Sequence, residues 1–330
     1  MSQLTLALLG QFQVFLDGQP LTAFESNKVR ALLAYLAVEA ARVHHRSTLA
    51  ALLWPDYQEE NARMTLRHVL RQLRLMIRDA SAAPPFLLIT RQTLQFNQTA
   101  SYTLDVTTFM GLVKRCATHA HRQLAYCSAC LERLHQAAEL YRDDFLGGLT
   151  VQDSARFEEW RRIKQEQLHI LALDALTDLA TAYEVQQDWE QARRYTVRQL
   201  ELEPWREQSH CQLMRVLAQS GQRNAALAEY HTCHQMLAKE LGVVPDAATT
   251  ALYEQIRSGA FPRQADAQAQ KRRPAAEESK ASSWGAGQQQ QGDPHIASGQ
   301  PKDYRHNLPA QVTPFVGRED ELNEIITRLQ

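Results

Sequence analysis

One stretch constrains this chain more than any other: Asn61 to Arg78, reading N-A-R-M-T-L-R-H-V-L-R-Q-L-R-L-M-I-R. At about 100° per residue, Ala62, Leu66, Val69, Leu70, Leu73 and Ile77 fall on one face of a helix. Arg63, Arg67, Arg71, Arg74 and Arg78 share an arc beside it. One side requires a core and the other an anion. No Asp or Glu lies inside the stretch, so the arginines are not expected to be neutralised by i,i+4 partners along the helix. Nucleic acid is the expected anion. The plainer alternative is a solvated helix surface whose acidic partners come from another element.

Composition sets this signal in relief. The chain has 330 residues, with 36 Lys plus Arg against 37 Asp plus Glu, so the net charge of −1 points to no polyanion and the basic character is local. At 44% hydrophobic residues there is enough apolar material for two or three cored domains. No run of about eighteen apolar residues occurs, and no charged segment followed by an apolar one opens the chain, which predicts a cytoplasmic protein without a membrane span. Five cysteines, an odd number without an export signal, favour reduced thiols or a metal over a disulfide framework.

Ahead of the arginine stretch, Leu4 to Leu9 and Phe12 to Leu16 are strand-like runs on either side of Gly10, and Asp17-Gly18 is a hairpin turn signal. A helix is predicted over Lys28 to Ala40, with Ser26 as its cap and Leu32, Leu33, Tyr35 and Leu36 on its buried side. A shorter one opens near Ser47, carries Leu49, Leu52 and Leu53, and stops at Trp54-Pro55. Phe86 to Phe96 reads as two short strands turning around Arg91-Gln92. A small sheet, three helices and a hairpin is the order of a winged helix.

The segments L-L-G-Q-F-Q-V, S-N-K-V-R-A-L-L-A-Y-L, L-A-A-L-L-W-P and N-A-R-M-T-L-R-H-V-L-R-Q-L-R, in that order, resemble the DNA-binding domain of SARP-type bacterial transcriptional activators, an OmpR-like winged helix. The resemblance implies that Asn61 to Arg78 lies in a major groove of double-stranded DNA while the Arg91 hairpin meets an adjoining minor groove or backbone. On the helical wheel Arg63, Arg67, His68 and Arg71 are the candidates for base edges. Arg74, Arg78, Lys28, Arg46 and Arg91 are the candidates for phosphates.

A second pattern lies in C-A-T-H-A-H-R-Q-L-A-Y-C-S-A-C, which supplies Cys116, His119, His121, Cys127 and Cys130. Soft ligands in closely spaced pairs joined by a short loop suit tetrahedral zinc. The expectation is a structural zinc knuckle over 116–130 built on the three cysteines, with one of the two histidines as fourth ligand and no open position for catalysis. Against it stands the reading of Cys127 and Cys130 as small residues of a helix continuing to Leu134, with both histidines merely exposed.

From Leu131 to Ile256 the chain reads as successive helices. Ala192 and Ala226 stand 34 positions apart, as do Leu179 and Leu213, which is the tetratricopeptide period, and Pro204 and Pro245 close successive units. The blocks L-Y-R-D-D-F-L-G-G-L, F-E-E-W-R, L-E-P-W-R-E and K-E-L-G-V-V-P resemble the bacterial transcriptional activation domain that follows the winged helix in SARP-type proteins. Asp143 departs from that pattern, where glycine is expected, and puts the local turn in doubt. Trp160, Trp189 and Trp205 read as core wedges between helices, and Cys211 and Cys233 as small core residues.

Phe261 to Asn307 holds Q-Q-Q-Q, K-R-R-P and scattered Pro and reads as a disordered tether. Beyond it, L-P-A-Q-V-T-P-F-V-G-R-E-D-E-L-N-E-I resembles the opening of an AAA- or STAND-type ATPase, in which Phe315, Val316, Gly317, Arg318 and Glu319 would lie beside the adenine. There is no G-x-x-x-x-G-K-[ST], so no ATP hydrolysis is expected of this sequence by itself, and ATP would bind only in a longer protein. That reading makes the chain the N-terminal portion of a longer regulator or a truncated gene product.

The resulting expectation is a mainly α protein: a winged helix-turn-helix with a small sheet and wing over 1–105, tetratricopeptide-like helices over 106–258, a linker over 259–307 and an ATPase start over 308–330. It would be a sequence-specific transcriptional regulator and an activator touching RNA polymerase, with paired protomers on repeated half-sites. The rivals are a helical-repeat scaffold whose basic helix binds an acidic protein, and a fragment of an ATP-dependent signalling protein. No Ser/His/Asp or paired-carboxylate constellation argues for an enzyme.

Overall fold

The computed structural model describes residues 2–262. The linker from residue 263 onward and the ATPase-like segment, with Phe315, Val316, Gly317, Arg318 and Glu319, lie outside the described residues. The chain is mainly α, with its strands gathered at the N-terminal end.

Strand β1 (Leu4–Ala7) buries Leu4, Leu6 and Ala7, and is followed by β2 (Gly10–Gln11), β3 (Gln13–Leu16) and β4 (Gln19–Pro20). β1 and β3 pair antiparallel with Leu4 opposite Leu16. Asp17 and Gly18, both at positive φ (53° and 78°), form the two-residue turn into β4 that the sequence signalled. Helix α1 (Asn27–Val38) buries Leu32, Leu33 and Leu36. Ser26 caps it through its carbonyl, which accepts from Val29 N at 3.2 Å, and not through the expected hydroxyl. β5 (His44–His45) leads into α2 (Arg46–Leu53), which Trp54 closes by donating from its backbone to Ala50 O at 2.8 Å.

Helix α3 (Glu59–Met76) carries the arginines. All six apolar residues read from the wheel are buried, Leu73 and Ile77 completely. The helix begins two residues before the predicted stretch and ends two before Arg78, which sits in the left-handed region at φ 50°. Strands β6 (Leu87–Ile89) and β7 (Thr93–Phe96) form the wing, with β5 added along β7. Strand β8 (Tyr102–Leu104) returns parallel to β1, giving the four-stranded order β4-β3-β1-β8.

Helices α4 (Asp105–Ala117) and α5 (Ser128–Leu140) follow, and then a short strand, β9 (Phe145–Gly147), pairs parallel with β2. This two-stranded pairing joins the helical part to the segment that follows β1. Asp105 accepts from Leu8 N (2.7 Å), Leu9 N (2.9 Å) and Arg142 Nη2 (3.2 Å), while Arg142 Nε donates to Leu9 O at 3.1 Å. Gly10, at φ 119°, takes a backbone angle that a side chain would oppose as the chain passes from β1 into β2 beside β9. Asp143 is no obstacle: the left-handed positions of this turn are Leu146 and Gly148, and Asp143 Oδ1 accepts from Asp144 N at 2.8 Å.

The long helix α6 (Ala155–Gln186) is followed by α7 (Trp189–Leu202), α8 (Glu207–Gln219), α9 (Arg223–Glu240) and α10 (Ala247–Ser258). The 34-residue offset holds in the packing, since Ala192 and Ala226 are both fully buried and Leu179 and Leu213 both lie in cores. Gln199, Ser209 and Gln212 form a buried polar link between α7 and α8 that apolar periodicity does not show. Trp160 is a wedge as expected, packed on Phe145, Phe157 and Tyr35, with Nε1 donating to Glu39 at 3.1 Å. Trp205 is 41% exposed and is not one. It lies in the α7–α8 turn directly after Pro204. One core runs without a break from Leu4 through Phe109 and Phe145 to Ala172 of α6.

Candidate nucleic-acid interface

The polar face of α3 and the wing turn meet at a groove of about 290 Å³ lined by Arg46, Arg63, Arg67, Arg91, His45 and Gln92. A second depression of about 320 Å³ continues along α3, with Arg46, Arg67, Arg71 and Arg74 over an apolar floor that includes Leu70 and Ile89. Local chemistry holds this arrangement. The wing turn is fixed by Thr90, whose hydroxyl accepts from Gln92 N (3.2 Å) and Thr93 N (2.9 Å), which places Arg91 at the tip. Arg46 binds the wing to α2: its backbone N donates to Gln92 O and its Nη2 to Thr90 O, both at 2.9 Å.

Arg46 is under strain of charge. Burial, and then the neighbouring Arg67, push its pKa down, and its Nε is buried without a hydrogen-bond partner. A guanidinium does not lose its proton in protein, so the repulsion stands as an energetic cost that a bound anion would relieve. Among the described residues, Arg67, Arg71 and Arg91 have no carboxylate partner.

The nine basic candidates separate accordingly. The structure brings Arg46, Arg63, Arg67, Arg71, Arg74 and Arg91 to one surface. Two of these are paired, contrary to the expectation of an uncompensated stripe. Arg63 Nη2 meets Glu59 at 2.7 Å across one turn, because the helix starts early enough to include Glu59. Arg74 Nε meets the buried Asp79 at 3.1 Å, and Asp79 also accepts from Leu87 N, so this arginine ties the end of α3 to β6. His68 is exposed and shares a hydrogen bond of 2.9 Å with Gln72, which also reaches Glu25. Arg78 is exposed beyond the helix end, off the arc it was assigned to. Lys28 lines neither depression; its ammonium lies over Trp54 (5.2 Å) and Tyr57 (5.9 Å), with its pKa lowered by burial against the pull of Asp153 and Asp56.

Sequence reasoning missed Arg46 as the joint between wing and helix, and missed Met64 and Leu75, apolar side chains 61% and 69% exposed on the polar side of α3. Both were visible as breaks in the polar arc.

The Cys/His pattern also takes shape. The ligand atoms of His119, His121, Cys127 and Cys130 all lie within 4.8 Å of one another, a cluster that can hold a metal ion. Cys116, expected among the ligands, lies outside this group: it is inside α4, its thiol is directed to Cys130 O at 3.8 Å, and burial and then the neighbouring Cys130 side chain push its pKa up to about 12. Both histidines belong to the cluster instead of one.

The fold defines a winged helix joined through a shared core to tetratricopeptide-like helices. Residues 104–257 match the family described as bacterial transcriptional activator domain. Among solved structures the chain is similar to Mycobacterium tuberculosis EmbR in complex with low affinity phosphopeptide, with a TM-score of 0.60 and 22% identity over 82% of this chain and 69% of that one. None of the curated proteins matches. Among the described residues no helix is long and apolar enough to cross a membrane.

Proposed function

We propose that the chain is a sequence-specific double-stranded DNA-binding transcriptional regulator of the cytoplasm, acting as an activator that contacts RNA polymerase. The observation that carries this reading is the surface where α3 and the wing place Arg46, Arg67, Arg71 and Arg91 together without carboxylate partners among the described residues. Helix α3 enters the major groove, where Arg67 and Arg71 are the readers of guanine edges and the exposed Met64 is suited to a thymine methyl. Arg91 and Arg46 hold the backbone beside it. Arg63 and Arg74 serve after partial release from Glu59 and Asp79. His68 is a weaker base contact because Gln72 occupies it, and Lys28 and Arg78 are peripheral phosphate contacts. One recognition helix covers few base pairs, so two copies of the chain would occupy paired half-sites.

The 104–257 match supports the activator role, with the helical module as the surface for polymerase or a second protomer. The test is selection of a duplex from a random pool followed by competition. Binding that resists excess nonspecific DNA supports the proposal; equal displacement by any polyanion supports a scaffold for an acidic protein instead.

A further inference from the structure

The loop between α4 and α5 carries a feature that DNA binding does not use. Helix α4 ends at Ala117, so His119 and His121 follow it on an irregular segment, while Cys127 caps α5 and Cys130 lies in that helix's first turn. His119 Nδ1 is 3.1 Å from Cys130 Sγ and 3.5 Å from Cys127 Sγ, and His121 Nδ1 is 3.8 Å from Cys130 Sγ. A tetrahedral zinc ion, about 2.3 Å from sulfur and 2.0–2.1 Å from nitrogen, holds such ligands about 3.6 Å apart. The three separations bracket that value.

Cys130 adds a second argument. Its sulfur is fully buried yet faces three nitrogen groups, the two imidazoles and Arg133 Nη1 at 3.8 Å. This convergence on one sulfur brings soft ligand groups together at a single point. The histidine side is exposed, which leaves a path for an ion to enter.

From these observations we infer that His119, His121, Cys127 and Cys130 form a structural zinc site that clamps the start of α5 to the end of α4. Two thiolates and two imidazoles select zinc over hard cations, and four protein ligands leave no position for a substrate. Helix α5 leads at its other end to Arg142, which holds Leu9, so the clamp steadies the rod on which the winged helix is mounted.

The test uses the full chain purified under reducing, chelator-free conditions, with elemental analysis for zinc and visible absorption after cobalt exchange. The expected result is one zinc per chain and the d–d and sulfur charge-transfer bands of tetrahedral cobalt. Cys127→Ser, at a half-buried position, and His121→Asn, at an exposed one, each weaken zinc binding by at least about tenfold. Cys116→Ser retains the ion. Only trace zinc with no tetrahedral cobalt spectrum overturns the inference, as does full zinc in the Cys127→Ser, His121→Asn double variant. Zinc lost from Cys116→Ser with an unchanged circular dichroism spectrum overturns the ligand assignment.

Discussion

Two groups of arginines in this molecule keep different company. In the helical module Arg161, Arg198, Arg206, Arg215 and Arg257 each meet a glutamate within 4 Å, three of them at 2.8 Å or less. On α3, among the described residues, only the ends are closed, by Glu59 and Asp79, and the middle pair, Arg67 and Arg71, stands open beside Arg91 of the wing. The overall charge balance of 36 against 37 conceals this local contrast. A pair that closes on itself contributes to the surface of a fold, about 0–1 kcal/mol when exposed. Charges held together with no partner cost energy until an anion arrives, and that cost marks a binding face.

The comparison breaks most sharply at its centre. Charge reversal in Arg67→Glu, Arg71→Glu should weaken binding to the selected duplex by roughly a hundredfold or more, at about 1–3 kcal/mol per base-reading arginine, with the melting temperature nearly unchanged. Electrophoretic mobility shift and thermal denaturation measure the two quantities. Next in size is Arg91→Ala at the wing tip. Loss of one phosphate contact should cost about three- to tenfold on every duplex and reduce the salt slope of log K by about one, read from titrations at several salt concentrations.

The paired half supplies the opposite outcome. Arg161 bonds Glu158 at 2.8 Å and Gln165 at 3.1 Å, so Arg161→Ala should leave duplex affinity as it is and cost about 1 kcal/mol, a fall of roughly 2–4 °C in Tm by calorimetry. Smallest of all, Glu59→Gln releases Arg63 and should raise duplex affinity by no more than about twofold, while the helix loses a few tenths of a kcal/mol from its first turn. A tenfold gain would mean that Glu59 guards the groove.

Much of this face was legible because helical periodicity is a local property. Six buried apolar positions and the arc of Arg63, Arg67 and Arg71 follow from spacing alone. What the pattern did not carry were the ends. Glu59 and Glu60 stand immediately before the stretch and belong to the first turn, where acidic side chains favour the helix dipole, and Arg78 continues the period after the helix has stopped. Cys116 failed as a ligand for a related reason: it lies within α4, whereas His119 and His121 follow the helix end, which residue spacing alone does not show. The union of the two halves was the least visible. It rests on Phe145–Gly147 pairing with Gly10–Gln11 and on Asp105 receiving Leu8 and Leu9, contacts between residues about a hundred positions apart that no local signal announces.

The central claim is that Arg67 and Arg71 read base edges while the wing holds the backbone. Its most direct test is the ratio of affinities for the selected duplex and a scrambled one, measured at fixed salt for the wild-type chain, for Arg67→Ala, Arg71→Ala and for Arg91→Ala. The account predicts that the α3 double variant brings the ratio close to one and that Arg91→Ala lowers both affinities while preserving it. A ratio unchanged by the loss of Arg67 and Arg71 would contradict it.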